Sequence, residues 1–384
     1  MRILIAPDSF KGSLSSQQAA AAMSRAVHRC LPEWEVEIFP LADGGEGTVS
    51  VIRQLIGGQK KKVTVLDPLL RKRSAWWLKK GRTAYLELAQ ASGLPLLKPA
   101  ERNPLETTTF GVGEMIRDAL TSGCEEIFLG VGGSATSDGG LGALTALGVK
   151  FIDGTGKKIW PGKGKDLDRI RRIDMSALPE KLKRIKFVVL TDVRNVLTGP
   201  EGAAAVYAPQ KGASPAQVKK LDEGLKHYSA MVKQATGISI ERLSGAGAAG
   251  GIAGGLYAFL GAKLVSGVET ILKLGHFEEK LRQADLVLTG EGSLDVQVKY
   301  GKALSAVFQL AEKHNVPVIV LAGSVSPEAY RLFQKKKVSL FSIAPGPVAM
   351  EAALEKAGEF LYRQAQEVLK VYLFGTKSTG LARV

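Results

Sequence analysis

Residues 126–140, EIFLGVGGSATSDGG, restrict what this chain can become more than any other stretch. Residues 127–131 read as a buried strand, the Gly/Ser/Thr run and Asp138 as a loop, and 141–147 as a helix starting directly behind. An apolar strand passing through small residues into a helix is the βα unit of an open α/β sheet. Its glycines let an anion approach the backbone, and the helix N-terminus offers unpaired N–H groups. Gly132, Gly133, Ser134 and Thr136 are therefore candidate phosphate donors. Asp138 has two readings, a metal ligand one turn away or a cap for the helix, the commonest work of an Asp after a loop.

At 384 residues the chain exceeds the size at which a single core stops growing, so two domains are expected. Two cysteines, Cys30 and Cys124, form no disulfide framework or CxxC pair, and the N-terminal MRILIAPDSFKG has an apolar run too short for a signal peptide. A cytoplasmic location is the expectation. Residues 243–262 carry no charge, but seven are glycine and few are large and apolar, so no membrane span is expected there. The formal net charge of +15 raises the question of nucleic acid. The basic runs 60–62, 71–73 and 335–337 are short, separate and without interleaved aromatics. Solvated faces that attract small anions are the expected outcome, with no nucleic-acid partner.

Taken in order, residues 3–6 form a short apolar strand followed by Pro7, Asp8, Ser9, Phe10, Lys11 and Gly12. Ser15 and Gln18 stand at capping-box spacing for the next helix, whose apolar face is Ala19, Met23, Ala26, Val27 and Cys30. Asp8, Ser9 and Lys11 thus fall at the carboxyl end of a strand, where open α/β sheets hold ligands, although Lys11 also reads as an ordinary surface lysine. Residues 34–41 form a second strand, running into Asp43, Gly44, Gly45, Glu46 and Gly47, a loop able to bring two carboxylates towards a cation. The texture then changes, because 63–66, 74–78 and 83–88 alternate about tight turns and read as hairpin strands. The last of them ends in ELAQASG, residues 87–93, with a carboxylate at the strand end. A helix is expected over 111–121, a further hairpin over 149–159, and a buried strand over 187–190 that places Asp192 at its end. The run 199–213 embeds Lys211, and a longer helix follows over 215–237. Residues 245–251, GAGAAGG, match GxGxxG with Glu269 at the spacing of a dinucleotide fingerprint, but no convincing strand precedes them. Close helix packing or an interdomain surface is the preferred reading. From 286 the chain alternates strand and helix, and one strand ends in Thr289, Gly290, Glu291, Gly292.

One doubly wound domain, assembled from 1–62, 105–145 and 283–384, is expected beside a second formed by 63–104 and 146–282, with the glycine loops collected in a cleft between them. The chain lacks a Walker A motif and the HRD and DFG triplets of protein kinases, and its four histidines are scattered. What recurs is acids at strand ends: Asp8, Asp43, Asp138, Asp192 and Glu291. Glycine loops, carboxylates and a few lysines are the parts of phosphoryl transfer: donors for phosphate, ligands for Mg2+, a base for a hydroxyl proton, and cations.

Six blocks carry a closer likeness: PDSFKGSLSS (7–16), ADGGEGT (42–48), GVGGSATSDGG (130–140), GPEGAAAVYAPQKGA (199–213), GAGAAGG (245–251) and TGEGSLD (289–295). In this order, over nearly the whole chain, they resemble the type 1 glycerate kinases. That resemblance implies ATP- and Mg2+-dependent phosphorylation of D-glycerate, giving 2-phosphoglycerate in many bacterial members and 3-phosphoglycerate in others. It also implies a flavodoxin-like doubly wound parallel sheet domain with a second, inserted α/β domain. From their loop positions, Lys11 with Ser9, and Lys211, would contact the substrate, and Asp192, with Asp8 as the alternative, would act as base. Gly132, Gly133, Ser134, Thr136, Gly290 and Gly292 would line the ATP phosphates, and Asp43, Asp138 and Glu291 would serve Mg2+ or its waters. A monomer or homodimer acting on a small molecule is expected. The chain departs from the family where Thr191 replaces a usual cysteine and where Ser293 and Leu294 replace a usual Arg-Ile pair, and residues 375–384 match nothing in it.

Overall fold

In the computed structural model, which describes residues 1–295, 303–334 and 336–378, the strands run in chain order β1 (Arg2–Ile5), β2 (Glu35–Ile38), β3 (Gln59–Leu66), β4 (Lys72–Lys80), β5 (Thr83–Glu87), β6 (Glu126–Gly130), β7 (Lys150–Asp153), β8 (Ile170–Asp174), β9 (Lys186–Leu190), β10 (Lys263–Val265), β11 (Leu286–Leu294), β12 (Val318–Val325) and β13 (Val338–Ser342). They divide between two units: the described residues of 1–42, 54–56 and 268–384, and residues 43–53 with 57–267.

The first unit is built on an all-parallel sheet of order β13-β12-β11-β1-β2. One strand lies to one side of β1 and three to the other, the flavodoxin-like order. Ile3, Leu4 and Ile5 of β1 are all buried, as a strand covered on both faces requires. The helix Ser16–Cys30 begins as its spacing predicts, with Ser15 Oγ accepting from Gln18 N and Gln18 Oε1 from Ser15 N. It packs against the helix Ala357–Ser378 through Met23, Ala26, Val27, Leu361 and Leu369.

The second unit carries a six-stranded sheet of order β10-β9-β6-β5-β4-β3. Here β5, β6, β9 and β10 are parallel, while β3 and β4 form the expected antiparallel hairpin. The buried Asp67 carboxylate closes that hairpin, accepting from Leu69 N at 2.8 Å and Arg71 N at 2.9 Å. Trp77, Met115, Leu129, Leu144, Phe151 and Tyr228 are among the residues filling its core.

The expected unit boundaries change. The strand in the organising stretch belongs to neither edge nor centre of the doubly wound sheet. It is β6, flanked by β5 and β9, so 105–145 lies in the second unit, as do 43–53 and 57–62, and 268–282 lies in the first. Texture separates βα segments from hairpins, but a mixed sheet holds both, and only pairing reveals which strands share it. The hairpin expected over 149–159 is present, with Ile152 bridged antiparallel to Lys158 and Ile159 N donating to Phe151 O at 2.8 Å, and β7 in addition pairs antiparallel with β8. Within 243–262 the helix Ile252–Leu260 is a short buried one, and among the described residues no helix is long and apolar enough to cross a membrane. Of the unmatched tail 375–384, residues 379–384 lie outside the described residues, as does residue 335 of the basic run 335–337.

Candidate active site

A doubly wound sheet holds ligands outside the carboxyl ends of its strands where strand order reverses, here between β1 and β11. Asp8, Ser9 and Lys11 follow β1 into that position. Asp8 N donates to Gly290 O at 2.8 Å, and Asp8 Oδ1 accepts from Ser9 N at 2.7 Å. A Cβ on Gly292 would lie 3.3 Å from Lys11 N, so β11 and the loop after β1 touch backbone to backbone. The structure thus brings Asp8, Ser9, Lys11, Gly290, Glu291 and Gly292 together in the first unit. Lys11 is exposed, Asp8 and Ser9 are half-buried, and Glu291 is 8% exposed. Gly290 has a further reason to be glycine, because its Cβ would meet Leu321 O of β12 at 2.0 Å.

A second cluster forms at the carboxyl ends of β5, β6, β9 and β10 in the other unit. Asp192, two residues past β9, is half-buried and its Oδ1 accepts from Ser266 Oγ at 2.5 Å, Ser266 being the residue after β10. The loop Asp43–Gly47 lies against the same strand ends. Gly44 adopts φ +87° with its Cβ position only 2.8 Å from Leu190 O, and its carbonyl accepts from Gly132 N at 3.0 Å. A Cβ on Gly132 would stand 2.5 Å from Gly45 Cα. The glycines of the two loops are therefore demanded by each other's backbone. Asp43 is exposed, with Oδ1 accepting from Gly45 N at 3.0 Å. Glu87, at the end of β5, has no role in the sequence-based reading, yet it is 1% exposed with Oε1 on Gly47 N at 3.0 Å and Oε2 on Val49 N at 3.2 Å. Burial pushes Glu87 up to about 7. Ser266 was also missed, since its only signal is a hydroxyl directly after a short apolar strand.

Three assignments give way. Asp138 is fully buried and its carboxylate accepts from Thr109 N and Oγ1 at 2.8 Å each, Gly140 N at 3.1 Å and Gly142 N at 3.2 Å. Thr109 Oγ1 in turn accepts from Ala143 N at 2.9 Å. The N-terminus of the helix Leu141–Ala146, expected to await a phosphate, holds this carboxylate instead, and its full burial keeps it from an open site. Burial pushes Asp138 upward despite these bonds. The loop before it also turns inward: Gly132 N is spent on Gly44 O, and Thr136 is fully buried. Only Gly132 and Gly133 of the four proposed phosphate donors reach the surface. Lys211, expected on the substrate, is 1% exposed, and its Nζ donates to Ser134 Oγ at 2.8 Å and Thr136 O at 2.6 Å. It anchors the loop from beneath.

The GAGAAGG segment is packing, as its context argues. No strand precedes it, Gly250 O accepts from Gly139 N at 2.9 Å, and Gly247 N donates to Asn195 O at 3.0 Å, tying the 132–140 loop to the loop after β9. Among the described residues no three acid, histidine or cysteine side chains gather closely enough to enclose a metal ion by themselves.

Comparison with known proteins agrees with these features. The model of the glycerate kinase family matches residues 3–373. Glycerate kinase of Halalkalibacterium halodurans is 42% identical over 98% of this chain and 99% of its own length. Glycerate 2-kinase of Escherichia coli is 39% identical over 99% of this chain and 100% of its own. A crystal structure from Salmonella typhimurium LT2, provisionally assigned as glycerate kinase 2, superposes with a TM-score of 0.83 at 40% identity, covering 98% of this chain and 99% of that one. With two α/β units, acids and glycines at parallel strand ends, and this likeness from end to end, the chain belongs to the glycerate kinase family.

Proposed function

We propose that the protein transfers the γ-phosphoryl group of ATP to a hydroxyl of D-glycerate, the 2-hydroxyl in preference to the 3-hydroxyl. Membership of the family supports the reaction. The name glycerate 2-kinase of the Escherichia coli relative supports the position. The observation that carries the chemistry is Asp192, a half-buried carboxylate at the carboxyl edge of parallel strands whose Oδ1 is held by Ser266 Oγ at 2.5 Å. A carboxylate so held is pre-oriented to take the proton of the acceptor hydroxyl. Asp8, which spends Oδ1 on Ser9 N, is the alternative base.

Phosphoryl transfer asks for positioning and charge stabilisation rather than covalent help from the protein. The exposed ammonium of Lys11, with Ser9 beside it, anchors the glycerate carboxylate or the transferring phosphate. In the first unit the half-buried Gly292, and in the second the exposed Gly133, each offer backbone that a phosphate can approach. Magnesium is held in kinases by one or two carboxylates together with substrate phosphates and water, and when bound it neutralises charge on the transferring group. The exposed Asp43 fits that use, whereas the fully buried Asp138 does not. The setting proposed is the cytoplasm, with the protein a monomer or homodimer and both cysteines free.

The test is a coupled ADP-release assay with ATP, Mg2+ and D-glycerate, with the product resolved by phosphorus NMR. Turnover giving 2-phosphoglycerate is expected. The 3-phosphate would overturn the position, and no turnover by folded protein would overturn the substrate.

A further inference from the structure

The helix Thr48–Ile56 has no side-chain cap of its own. Its N-cap residue is Gly47, at φ +88°, and the residues just before it are the acid loop Asp43–Glu46. The first N–H groups of a helix need acceptors, normally from an adjacent side chain. Here they come from a different strand, 40 positions along the chain, as Glu87 takes Gly47 N on one oxygen and Val49 N on the other. Thr48 Oγ1 lies buried nearby without a hydrogen-bond partner and offers no substitute cap. A buried carboxylate that ties down both ends of the helix start leaves the loop before it one arrangement against Gly132.

We propose that Glu87 is a positioning residue that holds the acid loop, and with it Asp43, in the arrangement the reaction uses; this rests on the kinase reading above. The charged group facing Glu87 is Glu46 of the loop, and Gln90 of the helix Ala89–Ser92 faces it as an uncharged partner. Burial first, and then Glu46, hold its carboxyl near 7, while the N–H groups of Gly47 and Val49 favour the ionised form. A protonated carboxyl turns one oxygen into a hydroxyl and serves two N–H donors less well. The grip on the loop therefore tightens as pH rises through about 7.

The test compares the full-length wild type with Glu87→Gln, which keeps the shape but sets an NH2 group against one of the two N–H donors. Amide hydrogen exchange across 43–53 is expected to quicken by about tenfold, the loss of one hydrogen bond to a charged group. KM for ATP with Mg2+ is expected to rise more than kcat falls, and the activity limb near neutral pH to disappear. Unchanged exchange in 43–53, or an unchanged pH limb, would overturn the proposal. Should Glu87→Gln fail to fold, Glu46→Gln on the exposed loop serves instead. Removing the like charge is expected to move the limb to lower pH, and a limb that stays in place would equally overturn the proposal. Wild-type protein that shows no phosphotransfer would sink the kinase reading, and the exchange comparison would then decide the role of Glu87 alone.

Discussion

Lys211→Met tests how the loop beneath the second cluster is held. Burial, with Asp138 partly opposing it, pulls the Lys211 ammonium from 10.5 down to about 7. That difference in proton affinity between the folded and unfolded chain is worth about 5 kcal/mol. Above pH 10.5 the amine is neutral in both states and nothing is lost. As pH falls from 10.5 to about 7 the unfolded chain takes up a proton that the folded chain refuses, so wild-type stability declines across that window and levels off below it. Methionine fills similar volume without titrating, but it abandons the bonds to Ser134 Oγ and Thr136 O. Each of those is worth about 1–3 kcal/mol when a buried partner is stranded. The two effects nearly offset at pH 7 and not at pH 10. Urea unfolding of both proteins at intervals from pH 7 to pH 10 should therefore show Lys211→Met close to wild type at neutral pH. It should then fall behind by up to about 1.4 kcal/mol per pH unit. The difference between the two curves cancels every other titrating group. Parallel curves would refute the reasoning, because they would mean that Lys211 keeps its proton in the fold.

Asp192→Asn should lower kcat by at least about 100-fold, the usual worth of a general base, with little change in melting temperature; wild-type turnover in the variant would remove the assigned base. Asp138→Asn should lower the melting temperature, because an amide cannot accept the four bonds now made by the carboxylate. The Mg2+ dependence of the surviving activity should stay as in wild type, and a weakened Mg2+ requirement would restore Asp138 as a ligand. Gly132→Ala should cost about 1–3 kcal/mol in chemical unfolding and raise KM, since its methyl group meets Gly45 backbone and not a yielding side chain. Unaltered stability would show that the two loops separate easily.

Local chemistry carried the sequence-based reading a long way. The Ser15 and Gln18 pair starts its helix where the spacing says, the 63–78 alternation becomes a hairpin, and Asp8 and Asp192 stand just past the strand ends expected of them, whereas Glu291 lies inside β11, which runs on to Leu294. These features depend on side-chain period, caps and turns, which act over a few residues. Membership of the family was legible for a related reason, since its glycine and acid blocks lie within short runs. The tertiary structure decided who meets whom. Glu87 finds Gly47 across 40 positions, Asp192 finds Ser266 across 74, and Lys211 finds Ser134 across 77. It likewise turned Asp138 from a metal ligand into the anion its own helix requires, and moved β6 into the mixed sheet. Burial and hydrogen-bond satisfaction are properties of the packed whole: an acid at a strand end has the same letter whether water, a metal ion or four N–H and O–H donors await it.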